Sequence, residues 1–131
     1  MNDDGACAMK YKLLVCTSAF LLLGSQAWAQ QTGDTSKGKV WVDDKGMTLY
    51  TFDKDSAGKS TCNGPCAQNW PPLPAGGAPV ASGDWTPVTR DDGRKMWAYK
   101  GKPVYTYVND KAPGDTNGDG ANGGTWHIAK P

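Results

Sequence analysis

Beyond residue 37, the hydrophobic and polar positions form short apolar runs separated by polar turns. Residues 40–42 (VWV) precede a polar turn at 43–46, and a second run at 47–52 is rich in β-branched and aromatic residues. Two such runs around a turn that ends in glycine predict a β-hairpin. Side chains alternate along a strand. The two faces of the second run are therefore Leu49 with Thr51, and Tyr50 with Phe52.

The same pattern recurs about 55 residues later, when Gly46 is aligned with Gly101. Both copies contain the motif Y-T-[FY]-x-x-D. Two copies indicate two related β-units rather than a solenoid, which needs at least three repeats. Each unit is also expected to end on a strand that carries a tryptophan, Trp85 in the first and Trp126 in the second. The motif residues are Tyr50, Phe52 and Asp55 in the first copy and Tyr105, Tyr107 and Asp110 in the second.

These patterns predict an all-β fold of two related antiparallel β-meander units, packed as one small domain over residues 38–131. The units span about 38–88 and 89–131, and neither has enough apolar area to be stable alone. Residues 30–37 are polar and are predicted to be a flexible lead-in. An irregular, Pro/Gly-rich, disulfide-bearing insertion occupies 56–82, because proline resists both helices and central strands.

Residues 1–29 have the pattern of a signal peptide. Lys10 and Lys12 precede an apolar run at 13–23, which is short for a membrane span, and small residues at 27 and 29 suit a signal peptidase. A buried helix and a membrane anchor are the alternatives. Cleavage after Ala29 predicts a periplasmic or secreted protein with no stable membrane span after processing.

The charge pattern excludes some partners. The chain has 14 Lys and Arg against 13 acidic residues, all of them Asp, and the positive charges are scattered. A nucleic-acid groove would need a clustered basic surface. We therefore expect no nucleic acid, and a protein or a cell-envelope ligand of undetermined identity as the partner.

Export leaves one pair of the four cysteines in the mature chain. Cys7 and Cys16 belong to the leader, so Cys62 and Cys66 remain and are expected to form a disulfide in an oxidising compartment. A redox-active pair is the alternative, although the spacing is one residue longer than in the C-x-x-C motif. No histidine follows Cys66, which disfavours haem attachment.

The motifs together resemble a known bacterial family. The repeated Y-T-[FY]-x-x-D and the cysteine block at 58–67, which continues into Trp70 and the residues 71–73 (PPL), are similar to the secreted-repeat proteins called predicted lipoproteins with a Yx(FWY)xxD motif. The resemblance implies an exported protein with no assigned activity. Cys16 follows the bulky Val15 and lies in no lipobox, so we expect a protein without a lipid anchor.

Catalytic chemistry is weakly indicated, and a metal site is the sharper alternative. The only histidine, His127, lies in a predicted strand without a motif that would pair it with a serine. Asp115, Asn117 and Asp119 match the opening of a calcium-binding EF-hand loop, but Trp126 stands where the bidentate Glu belongs. A turn whose side chains bond their own backbone is the competing interpretation.

The motif residues themselves have structural interpretations. Asp55 and Asp110 are expected to cap the turns that follow their strands, and the aromatic residues to pack in the core. The aromatic content exceeds what a small core requires, and Trp70 and Trp97 are candidates for an exposed aromatic surface. We therefore predict a periplasmic, non-catalytic binding or interaction module, with a periplasmic redox or electron-transfer accessory protein as the alternative.

Overall fold

The computed structural model describes residues 30–131, so the predicted signal peptide at 1–29 lies outside the described residues. No helix among the described residues is long and apolar enough to span a membrane. The strands are β1 (Gln31–Thr35), β2 (Gly38–Val42), β3 (Tyr50–Phe52), β4 (Trp85–Thr89), β5 (Lys95–Tyr99), β6 (Lys102–Tyr105) and β7 (Trp126–Ile128). Two short helical segments are α1 (Pro65–Asn69) and α2 (Ala121–Gly124).

The strands form two antiparallel sheets. β1 and β2 make a hairpin, and the larger sheet has the order β4-β5-β6-β3-β7. Every strand pair is antiparallel. The predicted all-β class with two related antiparallel units is confirmed. The predicted hairpin between 40–42 and 47–52 is reduced to a bridge between Val42 and Thr48, because the second run pairs mainly with β6 and β7.

Residues 30–37 contain a strand instead of the expected flexible lead-in. β1 pairs along its whole length with β2, from Gln31 opposite Val42 to Thr35 opposite Gly38. The turn is closed by the Thr35 hydroxyl, which donates to the Gly38 carbonyl at 2.8 Å. β1 has no apolar alternation to reveal it, because it is held by backbone hydrogen bonds and its side chains are mostly exposed.

The proline segment at 71–75 lies between two strands of the large sheet. The Leu73 N–H donates to the Val104 carbonyl at 3.1 Å, and the Leu73 carbonyl accepts from the Trp97 N–H at 3.0 Å. The segment therefore fills the opening where β5 and β6 diverge. Prolines are tolerated here because the N–H groups of Leu73 and Ala75 make the backbone bonds. The segment forms only isolated bridges, Pro72 with Tyr105 and Pro74 with Met96, so it is irregular as predicted although it lies within the sheet.

The C-terminal segment repeats this arrangement in the other half of the molecule. The Ala129 N–H donates to the Leu49 carbonyl at 2.9 Å, and the Ala129 carbonyl accepts from the Trp41 N–H at 2.9 Å. Ala129 thus occupies the position that Leu73 occupies in the other half. The last segment of each half therefore pairs with strands of the other half, so the two units are interlocked. We call Leu73 and Ala129 the exchanged residues, and the segments around them the exchanged segments.

This equivalence corrects the assignment of the tryptophan strands. Trp70 and Trp126 both follow a short helical segment and both precede the exchanged residue by three positions. The counterpart of Trp126 is therefore Trp70. The strand that begins at Trp85 corresponds to β1 and opens the second half instead of closing the first.

The buried side chains form two clusters that alternate along the strands. Leu49 and Val104 belong to one cluster, whereas their neighbours Tyr50 and Tyr105 belong to the other. The sheet is therefore covered on both faces. The first cluster consists of Tyr50, Cys62, Trp70, Val88, Met96, Ala98, Tyr105 and Trp126, and the second of Leu49, Leu73, Ala75, Trp85, Trp97, Val104 and Ala129.

Candidate functional site

The repeated motif forms two reciprocal hydrogen bonds between the halves. The Tyr50 hydroxyl donates to Asp110 Oδ2 at 2.6 Å. The Tyr105 hydroxyl donates to Asp55 Oδ2 at the same distance. Each tyrosine therefore bonds the aspartate of the other copy of the motif, and not the aspartate five residues further along its own copy.

The second oxygen of each aspartate accepts from the loop that follows its strand. Asp55 Oδ1 accepts from the Thr61 N–H at 2.7 Å, and Asp110 Oδ1 accepts from the Asn117 N–H at 2.9 Å. The loop after Asp110 also contacts the tyrosine, because the Gly118 N–H donates to the Tyr50 hydroxyl at 3.2 Å. Each motif aspartate therefore links a loop of its own half to a tyrosine of the other half.

Burial changes the acidity of both tyrosines. Desolvation raises the pKa of Tyr50 well above its ordinary value, and the hydrogen bond to Asp110 raises it further. Desolvation and the bond to Asp55 likewise raise the pKa of Tyr105. Both phenols therefore stay protonated at every physiological pH. They act as hydrogen-bond donors and not as general bases.

Four aromatic rings form a continuous stack through the first cluster. The Trp70 and Trp126 rings are parallel within 4°, with centroids 3.7 Å apart. Tyr107 stacks on the outer face of Trp70 at 4.0 Å, and Phe52 on the outer face of Trp126 at 4.3 Å. The two tryptophans are buried, and the two end rings are partly exposed. We call these four residues the aromatic column.

The column requires a residue without a side chain beside it. A Cβ on Gly118 would lie 2.7 Å from Trp70 Cη2 and 3.0 Å from Tyr50 Cε2. Glycine is thus needed at 118 for packing.

Trp70 and Trp97 do not form the exposed aromatic surface that their composition suggested. Each is 3 % exposed. Trp70 is enclosed by the aromatic column, and Trp97 packs in the second cluster with Trp85 and Leu73. Burial on both faces of the sheet accounts for more of the aromatic content than the sequence analysis assumed.

The predicted disulfide is confirmed. Cys62 and Cys66 are joined with a Cα–Cα distance of 5.2 Å, and the loop they close begins α1. Cys62 is fully buried. The Cys62 carbonyl accepts a hydrogen bond from Arg90 Nη2 at 2.8 Å, so the disulfide loop also holds a buried arginine.

Arg90 is the residue that sequence reasoning missed. It is 5 % exposed, and its Nη1 donates to the Ser60 hydroxyl at 2.9 Å. Among the described residues, Asp92 is the only carboxylate within 4 Å, with Oδ1 3.9 Å from Arg90 Nε. Nε itself has no hydrogen-bond partner in the part of the chain that the structure describes. The block TRDDG at 89–93 was the available signal, but nothing in it indicates that the arginine is buried.

A groove of about 410 Å³ lies beside Arg90. Its lining combines prolines of the proline segment with cationic side chains from the turn that joins β4 to β5 and from the first residue of β5. We call it the proline groove. Its lining includes Gln68, Pro71, Pro72, Pro74, Arg90, Asp92, Arg94 and Lys95.

The three residues of the candidate calcium loop bond to different partners. Asp115 Oδ2 accepts from the backbone N–H of residues 111 and 112, and Asp119 Oδ2 accepts from Lys37 Nζ at 2.9 Å. Asn117 Nδ2 donates to the Asn109 carbonyl. Within residues 30–131, no group of three or more His, Cys, Asp or Glu side chains is arranged to hold a metal. This arrangement favours the turn interpretation.

His127 pairs with a carboxylate in an exposed position. Its Nε2 lies 2.9 Å from Asp53 Oδ2, and both side chains are about half exposed. No serine hydroxyl in the described part of the chain bonds to His127. The Ser60 hydroxyl, for example, contacts the Tyr105 hydroxyl at 2.6 Å.

Comparison with protein families finds one description, "Secreted repeat of unknown function", which matches residues 31–74 and 86–130. No curated protein and no solved structure matches the chain. The matched ranges follow the structural equivalence, because the first ends within the proline segment and the second begins in β4. The boundaries predicted from sequence, 38–88 and 89–131, are displaced from these ranges. Since the two matches cover more than half of the chain, the protein belongs to this family of secreted repeats.

Proposed function

We propose that the protein is a periplasmic, non-catalytic binding module whose partner occupies the proline groove. The family supplies the coarser statement, that this is a secreted repeat. The proposal of a binding site rests on Arg90. This buried cation has neutral hydrogen-bond partners and lines an open groove. Buried charges are costly unless they are paired. A ligand in the groove would improve the pairing of this charge.

The use of the motif residues supports this choice of surface. The tyrosines and aspartates of both motif copies bond each other and their own loops. Their hydroxyl and carboxylate groups are therefore engaged within the fold. The proline groove, by contrast, combines the apolar surface of prolines, the amide of Gln68 and several charged side chains. This mixture is typical of ligand sites.

Site-specific photo-crosslinking tests the proposal in the exporting cell. A photoreactive amino acid replaces Gln68, which is exposed in the groove lining, and in a control it replaces Lys45, which is exposed in the turn after β2. We expect a discrete adduct from position 68 and none from position 45. No adduct from 68, or the same adducts from both positions, would contradict binding at the groove.

The aromatic column favours a second candidate, a periplasmic redox or electron-transfer accessory protein. Its rings stack at 3.7 to 4.3 Å between two partly exposed ends. A photogenerated one-electron oxidant in solution would take one electron from the column, and the positive charge would remain on a stacked tryptophan as a radical cation. If charge migrates along the column, we expect a tryptophan radical that is lost when Trp70 and Trp126 are both replaced by Phe, because Trp70 stacks directly on Tyr107. A radical confined to tyrosine would count against this function.

The disulfide gives an independent test of the redox alternative. A reduction potential below about −300 mV is typical of inert structural bridges, whereas labile or catalytic pairs lie higher. Because Cys62 is fully buried, we expect the low value. A potential near those of thiol oxidoreductases would favour the redox function instead.

A further inference from the structure

We infer that the proline groove recognises the carboxylate of a peptide, with Arg90 supplying the electrostatic attraction and Arg94 and Lys95 contacting the ligand. The inference rests on the proposed function and names the chemistry of its ligand. Three features support it: the charge balance at Arg90, the excess of cations around the groove, and the apolar surface of the prolines in the same lining.

The Arg90 guanidinium is held in place by neutral groups. Nη1 donates to Ser60 Oγ at 2.9 Å and to Met96 Sδ at 3.7 Å. Nη2 donates to the Cys62 carbonyl at 2.8 Å and to Asn63 Oδ1 at 3.3 Å. These bonds orient the guanidinium, but they do not neutralise its positive charge, because the partners are uncharged. Removal of a cation from water is costly even after relaxation, and an anion in close contact recovers much of this cost. The site is therefore preorganised for an anion.

The neighbouring carboxylate compensates this charge only in part. Asp92 Oδ1 is 3.9 Å from Arg90 Nε, which is beyond hydrogen-bond distance, and it accepts instead from the Arg94 N–H at 2.9 Å. The Asp92 side chain is 50 % exposed. Its interaction with Arg90 is thus screened by water, and a ligand carboxylate in the groove would face little competition from it.

Two further cations lie beside this one. The Arg94 side chain is 85 % exposed, and its Nε is 4.0 Å from the same Asp92 carboxylate. Lys95 Nζ donates to the Thr89 hydroxyl at 3.1 Å. The groove lining therefore contains three cationic side chains and one carboxylate. A cleft with one excess sign of charge concentrates ligands of the opposite sign.

The remaining lining determines what carries the anion. Pro71, Pro72 and Pro74 contribute apolar surface, and the Gln68 side chain offers both a donor and an acceptor. A bare inorganic anion would leave this surface without a contact. A peptide fits it, because its side chains cover the prolines, its backbone reaches Gln68, and its carboxylate matches the planar guanidinium of Arg94.

The test is a titration of the ¹⁵N-labelled protein, purified from the exported fraction, followed by amide chemical shifts. The probe is N-acetyl-alanyl-alanine with a free carboxylate, and its matched control is the same dipeptide as the carboxamide. We expect the acid to shift the Gln68 and Arg94 amides saturably, and the carboxamide to bind at least tenfold more weakly. Equal binding of the two forms, or no binding of the acid, would overturn the inference.

Inorganic phosphate distinguishes a peptide site from a general anion site. We expect phosphate to bind at least tenfold more weakly than the dipeptide acid, since it cannot cover the prolines. Equal affinities would overturn the assignment to a peptide.

Charge-neutralising variants locate the site. We expect Arg94→Gln and Lys95→Gln each to weaken binding of the acid at least threefold, and Lys45→Gln to leave it unchanged. Arg90→Gln should abolish binding. Because Arg90 is buried and that variant could fail to fold, the two exposed variants decide the outcome in that case. Unchanged affinity in both would overturn the inference.

The crosslinking experiment separates the two levels of the proposal. An adduct at position 68 that persists in the Arg94→Gln, Lys95→Gln double variant would leave the binding function standing and remove only the carboxylate chemistry. Loss of the adduct in that variant supports both. No adduct in the unaltered protein would contradict the proposed function itself.

Discussion

The Tyr50 hydroxyl donates a hydrogen bond of 2.6 Å to Asp110 Oδ2, which lies 60 residues away in the other copy of the same motif. With its counterpart between Tyr105 and Asp55, this bond gives the Y-T-[FY]-x-x-D motif a physical role. The motif joins the two halves instead of stabilising one of them. Together with the exchanged segments at Leu73 and Ala129, it makes the two repeats one cooperative structure.

Removal of the Tyr50 hydroxyl is expected to destabilise the protein. Asp110 is 6 % exposed, so Tyr50→Phe leaves a buried carboxylate oxygen without its donor. Hydrogen bonds to charged groups contribute about 1.5–3 kcal/mol, and we expect a loss of that size in the free energy of unfolding, measured by urea denaturation. Tyr105→Phe should cost a similar amount, because each hydroxyl has a second partner, Ser60 for Tyr105 and the Gly118 N–H for Tyr50.

Tyr107→Phe is the matched control for these variants. Within residues 30–131 its hydroxyl accepts only from Asn109 Nδ2, in an exposed position, so we expect a change within about 0.5 kcal/mol. Equal losses for Tyr50→Phe and Tyr107→Phe would contradict a special role for the bond between the halves.

Stability should fall in alkaline solution because of the same two tyrosines. Their pKa values in the folded state are raised by burial above the unfolded value of about 10. Below pH 10 their contribution is constant. Above it the unfolded state loses protons that the folded state keeps, so the free energy of unfolding falls by up to about 1.4 kcal/mol per pH unit for each tyrosine.

Urea denaturation between pH 8 and 11 measures this slope. We expect Tyr105→Phe to reduce the contribution of the two tyrosines to this slope by about half. The double variant with Tyr50→Phe should remove that contribution. An unchanged slope in the double variant would show that other groups govern the alkaline transition.

Gly118→Ala should disturb the aromatic column. The added methyl would lie 2.7 Å from Trp70 Cη2, and neither Trp70 nor Tyr50 can withdraw because both rings are buried. Overpacking of this kind costs about 1–3 kcal/mol, and the near-UV circular dichroism of the Trp70–Trp126 pair should change. Gly77→Ala is the control, because a Cβ there meets nothing within 4 Å. A comparable loss in the control would remove the packing explanation.

Removal of the disulfide should weaken the fold without abolishing it. Cys62 and Cys66 are four residues apart, so the closed loop is short, and we expect Cys62→Ala, Cys66→Ala to lose less than about 3 kcal/mol. The change loosens the loop whose carbonyl holds Arg90. Thermal unfolding by circular dichroism measures the loss. Complete unfolding at room temperature would mean that the bridge does more than pin a turn.

Much of the architecture follows from local patterns. The alternation of Leu49 and Tyr50 between the two faces of a strand is a property of extended backbone, and the two copies of the motif are readable directly. The pairing of Cys62 with Cys66 required only their proximity and an oxidising compartment. In contrast, β1 carries no apolar alternation. It pairs with β2 through backbone hydrogen bonds, which do not depend on a pattern of side chains in the sequence.

The class of fold, the duplication, the disulfide and the membership of a secreted-repeat family can all be read from the sequence. The fold alone shows that Tyr50 meets Asp110 instead of Asp55, that Trp70 is buried against Trp126, and that Arg90 is a buried cation beside a groove. Both copies carry the same tyrosine and aspartate at the same spacing. Contacts within a copy and contacts between copies satisfy the same local pattern, and only the packing of the whole sheet selects between them.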